Sequence, residues 1–416
     1  MNSLQFISSK KDFFLLFSIL AFIAFFNFFH EYFKYKDLKE EELFQSRFQI
    51  INIYKKEDFY VLKLQNEDLT FFTSIEKNRT LQKLDFITLG FLTTGVNFYS
   101  YLKGFYAKSI YYEKEQENKS FKKMLNEKIK SQHKNIEIKQ LFSALFLAIP
   151  ISKEYRDIYT NFSISHLIAI SGFHLSILAS LVYVLLYYPY SFFQKRYFPY
   201  RNRKADILIF TLLTLFLYLL LTNLVASVLR SFIMFFLGTL FLRSNIKVFS
   251  FGTLFLTLIL ILSLFPKYLF SISLWFSICG VFYIFLYIHY FKNLPKIFSF
   301  IFFNFWIFFV FNPIVHFFFP NTAYEQLLSP FLTIFFTFFY PIELFLHFIG
   351  FGTFWDEYLI SFINYEIEVF EVKTPYIFFI FYIIFSFLSV YSKRAFLGLN
   401  LLLIFFNLYM FMNSFL

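Results

Sequence analysis

The chain is poor in almost everything a water-soluble domain is built from. Only 16% of its 416 residues are charged and 58% are hydrophobic, with a mean hydropathy of +0.59. Soluble domains carry roughly 25% charged residues, so a soluble globule is excluded. With 10 Gly and 10 Pro the chain is neither collagen-like nor a linker, and so apolar a composition excludes disorder. The single cysteine, Cys279, rules out an intrachain disulfide and a cysteine-built zinc centre, each of which needs a second thiol. No Gly-rich loop ends in Lys-Ser or Lys-Thr in the phosphate-cradling pattern, so nucleotide hydrolysis is not expected. What is abundant is phenylalanine, 74 residues, and an excess of 38 Lys and Arg over 27 Asp and Glu. That excess suits membrane orientation, anionic lipid or an anionic substrate, and charge alone does not choose among them. The aromatic wealth comes with abundant Ile, Leu, Tyr, Lys and Asn, as an AT-rich coding sequence would give, and carries no functional weight.

Residues 12–30 form an apolar run just long enough to span a bilayer, preceded by Lys10 and Lys11 and lacking a cleavage site. They read as an uncleaved anchor whose amino end is inside. From Glu31 to about Gln140 no run is apolar enough to cross, so a water-facing domain is expected outside. Five strand-like runs recur there, at 47–54, 58–65, 68–75, 84–91 and 105–112, and suggest a small all-β OB-like barrel over 31–112. Residues 113–165 read as a charged linker followed by an apolar piece at 141–149 that is too short to cross and is placed along the interface.

Beyond Ser165 the chain reads as membrane, with candidate spans at 166–187, 205–222, 223–242, 249–265, 268–289, 297–319, 329–348, 375–391 and 396–414. The expected fold is therefore an α-helical polytopic membrane protein of about 9–10 segments, its channel domain at 166–416, with the β domain ahead of it. Lys195, Arg196, Arg201, Arg203 and Lys204, then Arg243 and Lys247, then Lys292 and Lys296 fall on the inside by the positive-inside rule. Keeping Lys393 and Arg394 inside as well requires 329–348, interrupted by Pro341, to be re-entrant, and 349–372 to be an outside amphipathic helix. A full crossing, with the carboxyl end inside, is the alternative. Asn312 with Pro313 reads as a further helix break.

Polar groups at lipid depth are costly and so are candidates for function. ISHLIAISGFHLSIL (164–178) brings His166, Ser171, Gly172 and His174 into one span. In a continuous helix the two histidines stand roughly 12 Å apart and cannot share a metal ion. Close helix packing and a polar pathway lining both fit these residues. Arg230 lies a third of the way into its span, where a guanidinium needs a partner, a wet cavity or a polyanion. Glu343 and His347, four apart, form a second intramembrane pair that suits either structural pairing or a pathway. In the β domain, Lys55, Lys56, Tyr60, Lys63, Phe71, Phe72 and Arg79 offer rings and cations of the kind single strands stack on. Half of those rings must fill the core instead, and Glu57, Asp58, Glu67 and Asp68 nearly balance the charge. Neither catalytic residues nor a metal or other cofactor is expected. An intramembrane hydrolase using Ser171 and His174 lacks a third residue, whereas a small-solute transporter suits broken helices and stands as the alternative function.

SHLIAISGFHLSIL closely resembles HLLAISGLHVGL, the signature of the ComEC family of inner-membrane competence channels. SVLRSFIM (227–234) is similar to that family's SVLRAALM and places Arg230 on the family arginine. LFPKYLFSISLWFSICGVF (264–282) resembles the family's Pro followed by an FQLSFLAV-like helix, keeping Pro266 and Ser277 but carrying Trp275 for the Gln. NFYSYLKGFYAKS (97–109) looks like the pattern that closes the family's OB-like region, so the likeness runs over about 44–400. Two departures matter: LFLAIPIS stands where the family has LLLGD, and no HxHxDH motif occurs, which implies a form without the metallo-β-lactamase-like domain. The resemblance implies DNA uptake in natural transformation, with a single DNA strand conducted across a bacterial inner membrane into the cytoplasm. It implies partners too: a periplasmic DNA-binding competence protein, a cytoplasmic helicase or single-strand-binding proteins, and a separate nuclease.

Overall fold

A computed structural model of the chain describes residues 10–77, 81–115, 120–242 and 250–412. It is mostly helical, with a β-sheet region near the amino end, and divides into two compact units. The first comprises 1–153 and 170–277, and the second comprises 154–169 and 278–416. Arg79, Arg243 and Lys247 lie outside the described residues.

In the first unit, α1 (Lys10–Glu40) is a single helix of 31 residues. At 1.5 Å per residue it is about 46 Å long, more than a bilayer core needs, so the apolar anchor runs unbroken into the polar domain. Asn27 Nδ2 donates to the Ser263 carbonyl at 2.7 Å, and Tyr101 Oη donates to Glu31 at 2.9 Å. Lys34 pairs with Asp68, and Lys267 reaches Glu31 at 2.9 Å. Burial first, and then the Glu31 carboxylate, push the Tyr101 hydroxyl far above the ordinary tyrosine range.

The strands are β1 (Leu43–Lys55), β2 (Phe59–Gln65), β3 (Thr70–Glu76) and β4 (Phe86–Leu92), then, after the short helix α2 (Phe98–Lys103), β5 (Phe105–Tyr106) and β6 (Ser109–Lys114). The first four strand-like runs read from the sequence lie on β1 to β4, and the fifth, 105–112, divides between β5 and β6. Alternate residues turn inward with the period of two that strands impose: Phe48 and Ile50, Leu62 and Leu64, Phe71 and Ile75, Ile87, Leu89 and Phe91 are all buried. β1 pairs antiparallel with β2 and β4, and β2 with β3. The segment 105–114 joins the two free edges, running parallel to β3 through β5 and antiparallel to β4 through β6. The bonds Ala107 N–H to Phe72 O and Leu92 N–H to Lys108 O complete the seam. The strands therefore close into a barrel around an aromatic core in which Phe48, Phe71, Phe91 and Phe105 touch.

Helices α3 (Phe121–Ser131) and α4 (Ile136–Leu147) follow, started by Ser120 and Asn135 as caps. Leu141–Leu147 are all buried in protein, not left for a lipid surface as the apolar run suggested. After α5 (Lys153–Asn161) and α6 (Ser165–Ile168), which belong to the second unit, the first resumes with α7 (Gly172–Tyr197), α8 (Arg203–Leu221), α9 (Ala226–Leu242) and α10 (Phe251–Leu264). The expected span at 166–187 is thus not one helix: Ala169–Ser171 separate α6 from α7.

Helix α11 (Ile272–Phe291) belongs to the first unit up to Ser277 and to the second from Ile278, and the second continues through α12 (Lys296–Phe318), α13 (Ser329–Ile349), α14 (Asp356–Ile363), α15 (Tyr376–Leu388) and α16 (Lys393–Met412). The breaks expected at Pro313 and Pro341 do not occur, since α12 and α13 run unbroken through both prolines. The 21 residues of α13 span about 31 Å, enough for a full crossing, and the break on which the re-entrant reading rested is absent. At Pro313 the reason is visible. Proline has no N–H for the Phe309 carbonyl four residues back, and Asn407 Nδ2 of α16 donates to that carbonyl at 3.2 Å. Asn312 Nδ2 in turn donates to Asn407 Oδ1 at 2.7 Å, and Thr374 Oγ1 donates to Pro313 O at 2.8 Å. The outside helix expected over 349–372 is reduced to the 8 residues of α14, and Asn321–Thr322 (β7) pairs with Phe370–Glu371 (β8). Among the described residues 7 helices are long and apolar enough to cross a membrane, and three shorter apolar helices, 226–240, 251–264 and 376–388, accompany them.

Candidate functional site

The break before α7 is where the polar residues of the signature segment meet Arg230. Ser171 caps the helix: its own N–H donates to His174 Nδ1 at 3.2 Å, and its hydroxyl lies 3.1 Å from the same nitrogen. Because Nδ1 accepts, the ring proton is assigned to Nε2. The first intrahelical bond is Leu175 N–H to Ser171 O at 3.2 Å, and the Ser171 side chain takes the His174 N–H, so α7 starts as a capped helix end with the positive character of such an end. α9 is tied to this break by Ser227, whose hydroxyl donates to Ile170 O at 2.5 Å.

Arg230, on α9, is buried at 7% exposure. Its guanidinium donates to neutral groups: Nε to Ser277 Oγ at 2.8 Å, Nη2 to Ser231 Oγ at 3.0 Å and Nη1 to Met234 Sδ at 3.4 Å. No carboxylate pairs with it among the described residues. Gly172 is required here by close approach. A Cβ at this position would stand 2.9 Å from Ser231 Oγ and 3.2 Å from Arg230 Nη2. Arg230 is the fifth residue of α9, one of the shorter apolar helices; a guanidinium buried in such surroundings is costly, and this one faces a helix amino end of the same sign. Two positive features held together by hydroxyls and a glycine make an anion-binding arrangement.

Of the residues singled out in the sequence, Ser171, Gly172, His174, Arg230 and Ser277 come together in the first unit. Ser227 and Ser231 join them and were missed as site residues. Ser231 could have been found, because it follows Arg230 where the resembling motif has Ala. His166 does not belong to this cluster: it lies in the second unit on α6, and is exposed.

Glu343 and His347 form a separate pair on α13. His347 Nδ1 lies 2.8 Å from the Glu343 carbonyl and 3.0 Å from its carboxylate, and Glu343 is fully buried. In the barrel the predicted platform divides. Phe71 points into the core, as Tyr60 does in part, while Lys63 Nζ lies 5.8 Å over the outward ring of Phe72. Tyr54, which the sequence reading passed over, stands 6.3 Å from that ring. Burial lowers the Lys63 ammonium below the usual lysine value. Lys55 and Lys56 are exposed at the end of β1 and beyond it.

A family model described as Competence protein matches residues 150–394, more than half of the chain and including the helix break, Gly172 and Arg230. No curated protein and no solved structure matches.

Proposed function

Because the chain belongs to the competence protein family, we propose that it is the inner-membrane channel that passes one strand of transforming DNA into the cytoplasm. The observation that carries this reading is Arg230, a buried guanidinium without a carboxylate partner among the described residues, set against the first turn of α7. A phosphodiester arriving there exchanges water for fixed donors, the guanidinium fork and the Ser277 hydroxyl, beside the positive end of α7. Neutral hydroxyl partners leave the guanidinium available without an ion pair to break. A few such contacts hold each phosphate long enough to exclude other solutes and let it go to the next.

The barrel is read as an OB-fold exposed on the periplasmic side, offering Tyr54, Lys63 and Phe72 to bases and phosphates, since stacking is worth about 1–3 kcal/mol per base. Force comes from elsewhere. A periplasmic DNA-binding competence protein delivers the strand, a separate nuclease removes its complement, and a cytoplasmic helicase or single-strand-binding proteins draw it in.

The test is uptake of labelled DNA by a deletion strain carrying the wild-type chain or Arg230→Ala, with DNA outside and inside the inner membrane scored separately. The substitution is expected to abolish cytoplasmic DNA and leave the external pool and the amount of protein in the membrane unchanged. Wild-type entry into the cytoplasm would remove Arg230 from the mechanism, and a deletion strain that still imports DNA would replace the channel reading with transport of a small solute.

A further inference from the structure

Away from the Arg230 site, the first unit holds a second concentration of positive charge where the barrel meets α3 and the turn between α8 and α9. Lys83, in the loop before β4, donates to the Pro150 carbonyl at 2.6 Å. Lys122, on α3, donates to Asn223 Oδ1 at 3.2 Å, and Asn223 Nδ2 reaches Gln49 of β1 at 3.5 Å. Neither ammonium meets a carboxylate among the described residues. Lys55 of β1 and Lys130 of α3 are close enough to Lys83 to repel it, and Lys139 of α4 and Lys123 act on Lys130 in the same way. Among the described residues two acids face this group. Asp85 is already engaged by Lys114 at 2.9 Å and Lys123 at 3.0 Å, and Glu127 acts on Lys130 from within α3. The backbone is held in the left-handed region at Leu84 (φ 72°), Asn223 (φ 57°) and Leu224 (φ 53°), a conformation of residues other than glycine that persists only where its surroundings enforce it.

Lys83 and Lys122 bond to neutral oxygens, and Lys55 and Lys130 repel Lys83; partly buried ammonium groups so placed are costly unless an anion completes them. We infer that Lys83, Lys122 and Lys130, with Lys55 at the rim, form a second phosphodiester-binding seam that holds the strand between the barrel and the membrane helices. The inference rests on the DNA-strand reading above. A carbonyl and an amide oxygen are neutral partners that a phosphate displaces without breaking an ion pair. The lysines come from β1, the loop before β4 and α3, and Lys55 follows Tyr54 at the end of β1, its side chain on the other face of the strand. A polynucleotide is long enough to pass round the strand end and use both features, whereas a phospholipid headgroup has no use for the rings.

Burial, then the neighbouring lysines, bring Lys83 down to about 8, and burial brings Lys122 to about 8. A bound phosphate favours the charged form of each, so affinity is greatest below that value and falls as pH rises through it.

The experiment measures binding of a fluorescent oligothymidine of about 20 nucleotides to the full chain in detergent across a salt series. Each phosphate contact on a single strand adds about 0.7 to the slope of log affinity against log salt, so K83Q/K122Q should flatten that slope by about 1.4. K83R/K122R should keep the wild-type slope and lose the fall in affinity between about pH 7 and pH 9, because arginine does not titrate there. That second variant separates charge from folding. An unchanged slope in K83Q/K122Q overturns the inference and leaves the channel reading standing. A wild-type chain that binds no strand overturns both. Loss of co-purified anionic lipid from K83Q/K122Q with an unchanged slope assigns the seam to headgroups and also overturns it.

Discussion

Two places in the apolar helices contrast instructively. At Pro313 the sequence carries the strongest helix breaker there is, yet α12 continues for 23 residues. At Ala169–Ser171 no proline is present, and the helix stops and restarts within an apolar segment. Helix continuity in a medium without water depends on whether each backbone group finds a partner, and neighbouring elements can supply or withhold one. Asn407 supplies one at the first place. At the second, Ser171 caps a new helix, Ser227 takes up the Ile170 carbonyl, and the amino end of the new helix faces Arg230. One device hides a break, and the other sets a helix start beside a cation.

The comparison breaks hardest at Gly172. Gly172→Ala should lower transformation more than tenfold, because a methyl group displaces Arg230 and Ser231 from the helix start. Adding Ser231→Ala, which removes the nearest atom, should restore part of the loss. Transformation frequency corrected for protein in the membrane reads both. Two equally inactive variants would show that the glycine serves something other than this approach.

On the proline side, Asn407→Ala leaves the Phe309 carbonyl without its outside donor and should cost about 1–3 kcal/mol, seen as a lower melting temperature in detergent. Pro313→Ala in the same background should recover much of it, since an N–H returns to that carbonyl. If the two changes simply add, the compensation does not operate.

The smallest effect is expected in the barrel. Burial raises the Asp85 carboxyl, but hydrogen bonds from Lys114, Lys123 and the Gln82 amide outweigh it and hold the group below its ordinary value. A depressed carboxylate contributes stability that is present above its unfolded value and is lost as pH falls through the folded one. Wild-type melting temperature should therefore drop on acidification into that range, and Asp85→Asn should flatten the dependence. Parallel curves would place the acid sensitivity elsewhere.

Much of the fold was legible in advance for a physical reason. The barrel's strands show the period of two in residues such as Phe48, Ile50, Leu62 and Leu64, and the helices are apolar over lengths that few other structures use. Arg230, Gly172 and Ser277 were found because charge and glycine stand out in such surroundings and because the motifs resemble a known family. Phe71 and Phe72 could not be sorted from composition, since adjacent strand residues face opposite ways and the register alone assigns the core. Lys83 and Lys122 passed unnoticed because an isolated lysine in a polar stretch carries no signal until its neighbours are known.

Composition and periodicity by themselves determined a chain of apolar helices with a β region near its amino end, because hydrophobic length and strand alternation are local properties. Tertiary structure alone decided which prolines were harmless, which helix was interrupted, and which cations lacked an acid. Each of those outcomes depends on a hydrogen-bond partner brought from a distant part of the chain, as Asn407 is brought to Phe309 and Ser277 to Arg230, and no local pattern records that meeting.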